Sequence, residues 1–192
     1  MLRRIGALAT GALLAATMTG TAVGLPAAPA GADVWVDTDP NEGQFAGDVK
    51  KVRLVHTAKR VKVFIDWHVN ESGAAEPYDY ALAYLDTVKG DNAPEFVMAL
   101  SYRGGDDYRK WIYRQDDFTT LRAQPGKCPA MRAEILDGGT LLMSAPRRCL
   151  RTNGKMPPAV RVAVASYDDA YTTFDWAPRT KEGFTRDWTP VG

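Results

Sequence analysis

Asp37-Thr38-Asp39-Pro40-Asn41-Glu42-Gly43 sets oxygen-bearing side chains at alternate positions. A loop wraps a calcium ion in this way, because carboxylates and carbonyls must converge on the metal at about 2.4 Å. Asp37, Asp39 and Asn41 are therefore candidate calcium ligands. Pro40 lies inside the run and Glu42 stands where a helix-flanked calcium loop needs Gly, so an acidic loop solvated by water is the competing reading. The doublets Asp106-Asp107, Asp116-Asp117 and Asp168-Asp169 fit turns, where Asp hydrogen-bonds its own backbone.

Hydrolytic chemistry finds fewer parts. His56 and His68 are the only histidines, and His68 shares a strand face with Asp66. A carboxylate beside an imidazole is one ingredient of acid–base or nucleophilic catalysis. The nucleophile is missing: beyond residue 32 the serines are Ser72, Ser101, Ser144 and Ser166, none within Gly-x-Ser-x-Gly. No catalytic residue is assigned. A glycosidase-like carboxylate pair stays open, since any two of the 23 acidic side chains can meet in a fold.

Aromatic rings are the remaining lead. The chain holds five Trp, eight Tyr and six Phe, all beyond residue 32. Tyr78, Tyr80 and Tyr84 alternate onto one face of a single strand, and Trp111 with Tyr113 onto one face of another. Flat rings along a sheet surface can stack on sugars or on a partner protein, so these five are candidate ligand contacts. Core packing competes with that role, because Trp is mostly buried.

The elements that carry these residues are strands. Alternation with period two recurs, and turn signals arrive every eight to twelve residues or so. In Arg60 to Val69, the residues Val61, Val63, Ile65, Trp67 and Val69 take one face while Lys62, Phe64, Asp66 and His68 take the other. Pairing Val55 with Lys62 sets Leu54 against Val63, Val52 against Ile65, and Lys51 against Asp66 on the wet face. A second hairpin, turning at Gly104-Gly105-Asp106-Asp107, puts Met98 and Leu100 on the face of Trp111 and Tyr113. In Val160 to Tyr167, Val160, Val162 and Val164 lie opposite Arg161. Seven to nine strands are expected, with residues 170–192 as a last strand or a coil over an edge. No linker or repeat divides residues 33–192, and no amphipathic stretch of helical length separates the strands. The expected architecture is all-β, a single two-layer antiparallel β-sandwich, Ig-like or jelly-roll-like.

Cys128 and Cys149 are the only cysteines and stand outside any Cys-x-x-Cys pattern, which points to one disulfide. They flank a hairpin around Asp137-Gly138-Gly139. A two-residue turn faces Leu136 with Leu141 and places the cysteines opposite each other. A three-residue turn pairs Ile135 with Leu141 and Ala133 with Met143, misses the cysteine match by one, and needs Pro129 or Pro146 to absorb the slip.

Residues 1–32 hold Arg3 and Arg4, no acid, an apolar stretch from Ile5 to about Leu25, and a tail ending Ala30-Gly31-Ala32. That is the pattern of a secretory signal peptide, with the mature chain expected to start at Asp33. No Cys in this stretch offers a lipid-modified cleavage box, and nothing later is apolar enough to span a bilayer. Setting aside Arg3 and Arg4 from the 24 basic residues leaves 22 against 23 acids. This balance excludes nucleic acid as a partner bound through phosphate neutralisation.

The leader, the run Val52-Arg53-Leu54-Val55-His56-Thr57 with Val61-Lys62-Val63-Phe64-Ile65-Asp66, and the segments Ala145-Pro146-Arg147-Arg148-Cys149-Leu150 and Pro157 to Val164 resemble small secreted β-sandwich proteins of high-GC Gram-positive bacteria. The resemblance covers about half of residues 33–192 and implies fold and location, not chemistry. Together these features describe a secreted, extracellular, monomeric binding protein rather than an enzyme, with no cofactor other than the calcium considered above. Its ligand would be an extracellular or cell-envelope glycan or protein. An extracellular hydrolase with a carboxylate pair is one alternative, and an inhibitor presenting Gln124-Pro125-Gly126-Lys127 beside the disulfide is the other.

Overall fold

Alternating apolar residues become extended strands throughout the computed structural model, which describes residues 33–39, 47–68, 79–90, 92–102, 108–115, 118, 128–136, 138–167, 173–178, 183–185 and 187–192. The strands are β1 (Asp33–Thr38), β2 (Val49–His56), β3 (Arg60–Trp67), β4 (Tyr80–Asp86), β5 (Phe96–Tyr102), β6 (Tyr108–Arg114), β7 (Arg132–Ile135), β8 (Leu141–Pro146), β9 (Ala159–Tyr167), β10 (Thr173–Ala177) and β11 (Thr189–Pro190). This exceeds the seven to nine expected, because short strands such as β11 fall below the length at which alternation can be read. One 3₁₀ turn, Arg147–Leu150, follows β8.

The strands form two antiparallel sheets, β1-β2-β3-β8-β7 and β10-β9-β4-β5-β6, with β11 added against β9. They pack as a β-sandwich around one apolar layer. Val61, Val63 and Ile65 of the first sheet are fully buried with Ala83, Leu85, Val160, Val162 and Val164 of the second. Removing such surface from water drives the two layers together. Along one side the sheets are also tied by polar bonds. The Val49 amide donates to Asp175 Oδ2 at 2.7 Å, His56 Nδ1 lies 3.0 Å from the Thr189 carbonyl, and the Gly192 amide donates to the His56 carbonyl at 3.2 Å.

The β2–β3 hairpin has the expected register, with Leu54 opposite Val63, Val52 opposite Ile65 and Lys51 opposite Asp66. Phe64, on the face expected to be wet, is buried. The Arg53 guanidinium sits 3.8 Å from its ring centre, and burial lowers the arginine's pKa, partly offset by Asp66. The β5–β6 hairpin departs from expectation by one residue. Tyr102 pairs with Tyr108, so the connection is 103–107, one residue longer than the four assumed. A one-residue slip turns every side chain over. Trp111 and Tyr113 therefore pair with Ala99 and Val97 on the outer face, while Met98 and Leu100 enter the inter-sheet core.

In the β7–β8 hairpin the three-residue turn prevails: Ile135 faces Leu141 and Ala133 faces Met143, with the Leu136 amide donating to the Thr140 carbonyl at 2.8 Å. Gly138 and Gly139 both have φ near +84°, which side chains resist. Cys128 and Cys149 are bonded, with Cα atoms 5.8 Å apart. The one-residue mismatch is taken up by a turn at 128–131, where the Met131 amide donates to the Cys128 carbonyl, and by the 3₁₀ turn after Pro146. Arg60 braces the same region, donating to Ser144 Oγ at 2.7 Å and to the Ser144 and Ala130 carbonyls at 3.0 and 3.1 Å. Its pKa is lowered by burial first and then by the like charges of Arg132 and Arg148.

The disulfide spans 21 residues, and loop closure over that span is worth about 3 kcal/mol. Cys128→Ala combined with Cys149→Ala should lower the urea-extrapolated unfolding free energy by that amount, and unreduced protein should show no alkylatable thiol. A loss under about 1 kcal/mol would mean that the hairpin holds itself without the bridge.

Candidate functional site

Strands β4 and β9 read Tyr80-Ala81-Leu82-Ala83-Tyr84-Leu85 and Ala159-Val160-Arg161-Val162-Ala163-Val164-Ala165, apolar at nearly every position. A strand of this kind is buried on both faces. One set of side chains meets the first sheet. The other points outward and makes a second apolar layer of Leu82, Tyr84, Val97, Ala99, Ala163, Ala165, Tyr167, Trp176 and Phe184.

Register explains how so many rings fit there. One row across the sheet runs Trp111, Ala99, Leu82, Ala165, Trp176, and the next runs Tyr113, Val97, Tyr84, Ala163. The alanines leave room, and the rings lean over them. Tyr84 stacks on Trp176 at 5.4 Å between ring centres and tilts against Phe118 at 5.1 Å. Phe118 in turn meets Trp176 edge-on at 5.6 Å and Phe184 at 5.0 Å. The Tyr84 hydroxyl donates to the Phe118 carbonyl at 3.2 Å and lies 3.3 Å from that of Tyr167. Edge-to-face and offset pairs of this kind add to the area they bury.

Of the five candidate contacts, the fold brings Tyr80, Tyr84, Trp111 and Tyr113 onto this one face, whereas Tyr78 lies outside the described residues. Tyr84 is 2% exposed, with its ring between Phe118 and Trp176, so it supports the layer from within. Tyr80, Trp111 and Tyr113 are half-buried at its margin, and the last two rings lie 6.4 Å apart on β6. These three keep part of their surface exposed.

At the other end the layer meets a buried charge. Asp86 is fully buried, and both Nε and Nη2 of Arg161 donate to its Oδ2, the former at 3.0 Å. Asp86 Oδ1 accepts from the Val88 amide at 3.1 Å. The Arg161 guanidinium, close to Asn92 Oδ1 as well, lies 5.3 Å from the Phe184 ring centre and 4.6 Å from that of Trp188. Lys89 approaches the same indole at 5.6 Å. The carboxylate thus fixes a guanidinium that fixes two rings.

The other candidates are dispersed. Asp37 is exposed and accepts from the Thr38 amide at 2.9 Å, Asp39 is buried, and Asn41 lies outside the described residues. Among the described residues no three His, Cys, Asp or Glu side chains are grouped to hold a metal ion. His56 and His68 stand at opposite ends of the β2–β3 hairpin. Asp66, the carboxylate beside His68, accepts from Thr140 Oγ1 at 2.5 Å. Ser101, Ser144 and Ser166 are buried, and residues 124–127 lie outside the described set.

The sequence reading did not single out Phe118, Trp176, Phe184, Trp188 or the Arg161–Asp86 pair as a group. A signal existed in Val160-Arg161-Val162, where an arginine stands amid an otherwise apolar strand and so requires an acid nearby. No family model, no curated protein and no solved structure matches this chain.

Removing one partner of a buried pair leaves the other charge without compensation, at a cost of about 3 to 5 kcal/mol. Arg161 keeps 14% exposure, so Asp86→Ala should cost about 3 kcal/mol, the lower end. Chemical denaturation measures this. An effect below about 1 kcal/mol would show that water solvates Arg161 in place of the carboxylate.

Proposed function

We propose that this protein is exported and acts by binding, without catalysis, through the outer face of the second sheet, with an extracellular or cell-envelope glycan as ligand. The observation that carries the reading is the half-buried rings on an already apolar sheet face, Trp111 and Tyr113 side by side on β6 with Tyr80 on β4. Sugars present flat C–H faces to such rings and hydroxyls to the polar groups around them. The buried ring layer beneath holds the rim rings in place, so little freedom is lost on binding.

Export is supported by the leader pattern of residues 1–32 and by the Cys128–Cys149 bridge, which persists in oxidising surroundings. Among the described residues, no helix is long and apolar enough to cross a membrane. A binding rather than hydrolytic role is supported by the carboxylates whose partners are known. Asp66, Asp86, Glu95 and Asp175 accept, respectively, from Thr140, Arg161, Thr87 and the Val49 amide, all bonds that hold strands or turns. The likeness to small secreted sandwiches of high-GC Gram-positive bacteria supports the extracellular location, where such a ligand would be met.

Affinity electrophoresis of residues 33–192 through gels containing solubilised peptidoglycan, xylan, laminarin or chitosan tests the reading. At least one polysaccharide should retard the protein. Trp111→Ala and Tyr113→Ala should each weaken that retardation about five- to tenfold, as expected for loss of one stacked ring, while the protein stays folded with a melting temperature lower by about 2 to 4 °C for the half-buried area lost. Equal retardation of wild type and both variants, or none in any gel, would refute the proposal.

A further inference from the structure

Where β4 ends and β9 begins, away from the rim rings, the surface opens into a cleft of about 360 Å³. That volume falls within the range of small-molecule sites. Val88, Met156, Pro157 and Trp188 give it apolar walls, and Lys89 and Lys155 stand at it with no carboxylate among the lining residues. Neither lysine forms an ion pair with a described acid, and the Lys89 ammonium lies 5.6 Å from the Trp188 ring centre.

The walls are held from behind. Trp188 is pinned by Arg161, itself anchored on buried Asp86. Opposite it, Thr152 and Lys155 exchange two backbone hydrogen bonds of 3.1 Å around Asn153 and Gly154, with φ of +51° and +77°. These angles belong to a tight type I′ turn, one of the stiffest two-residue connections. The turn is joined to β4 through Thr152 Oγ1, 3.3 Å from Thr87 Oγ1, and Thr87 is held in turn by Glu95. Pro157 is buried and Pro158 follows it, so the backbone below the turn has little freedom. Met156, by contrast, is 44% exposed at the mouth, an adaptable thioether over an open cleft.

An apolar hollow with two exposed ammonium groups and no carboxylate in its lining selects by charge as well as by shape. We propose that this cleft is a second binding site, independent of the rim rings, for a small organic anion with a flat or aliphatic body. The body lies against Trp188 and Met156, and the acid group meets Lys89 and Lys155. A neutral molecule of the same shape gains the apolar contact alone.

Two fluorescent probes test this on the folded chain. The anion 8-anilinonaphthalene-1-sulfonate should bind saturably with one site per chain, and its uncharged counterpart N-phenyl-1-naphthylamine at least about tenfold more weakly. Lys89→Gln with Lys155→Gln, both exposed positions, should weaken the sulfonate about tenfold and leave the neutral probe unchanged, and added salt should reduce the difference. Trp111→Ala with Tyr113→Ala should change neither. The proposal is overturned if the sulfonate does not saturate, if both probes bind equally, if the lysine substitutions have no effect, or if the rim-ring substitutions abolish binding. Because the rim variants are scored separately, glycan binding can fail without touching this outcome, and the reverse also holds.

Discussion

Everything distinctive about this molecule follows from one constraint: its second sheet is apolar on both faces. A two-layer sandwich ordinarily buries one face of each sheet and leaves the other to water. Here the alternation in β4 and β9 is apolar against apolar, so the face turned from the first sheet also requires cover. Rings supply it. Tyr84, Trp176, Phe118 and Phe184 lie on a floor of alanine, and each ring contacts at least one other. The layer ends at half-buried Trp111 and Tyr113 on one side and at the Arg161–Trp188 stack on the other. Both proposed binding surfaces are margins of that one layer.

Much of the architecture could be read before any coordinates. The short connection between β2 and β3 was enough to align them, because pairing Val55 with Lys62 buries Leu54 with Val63 and also sets Lys51 against Asp66. In the β7–β8 hairpin the sequence left two registers open, one matching the cysteines and one matching Ala133 with Met143; the structure takes the second and still forms the disulfide. Hairpin β5–β6 carried no such cross-check. Met98, Leu100, Trp111 and Tyr113 are all apolar, so pattern alone set the four on one face, whereas the register puts the two pairs on opposite faces. One extra residue in the connection decided it.

The site was less legible than the fold because it is assembled from distant parts of the chain. Tyr84 and Trp176 are neighbours only through the pairing of β4 with β9 and of β9 with β10. Asp86 and Arg161 meet for the same reason. Each looked ordinary in its own segment: an acid ending a strand, and a basic residue taken for the wet side of β9. Only the two-sided burial of the sheet turned that basic residue into the partner of a buried acid. Tyr84 shows the converse. Its spacing with Tyr80 was right, but facing the same way did not make it accessible.

The margin of β6 bears on association between copies of this chain. Among the described residues β6 ends the second sheet, and the backbone of such an edge can recruit a strand from another molecule. Arg109, Lys110 and Arg114 are exposed along it, the last donating to the Arg151 carbonyl at 3.0 Å. Two copies approaching along this flank would bring cation against cation before any amide met a carbonyl. Charge on an edge strand works against such pairing, so the positive rim beside the half-covered indole and phenol acts as a built-in spacer.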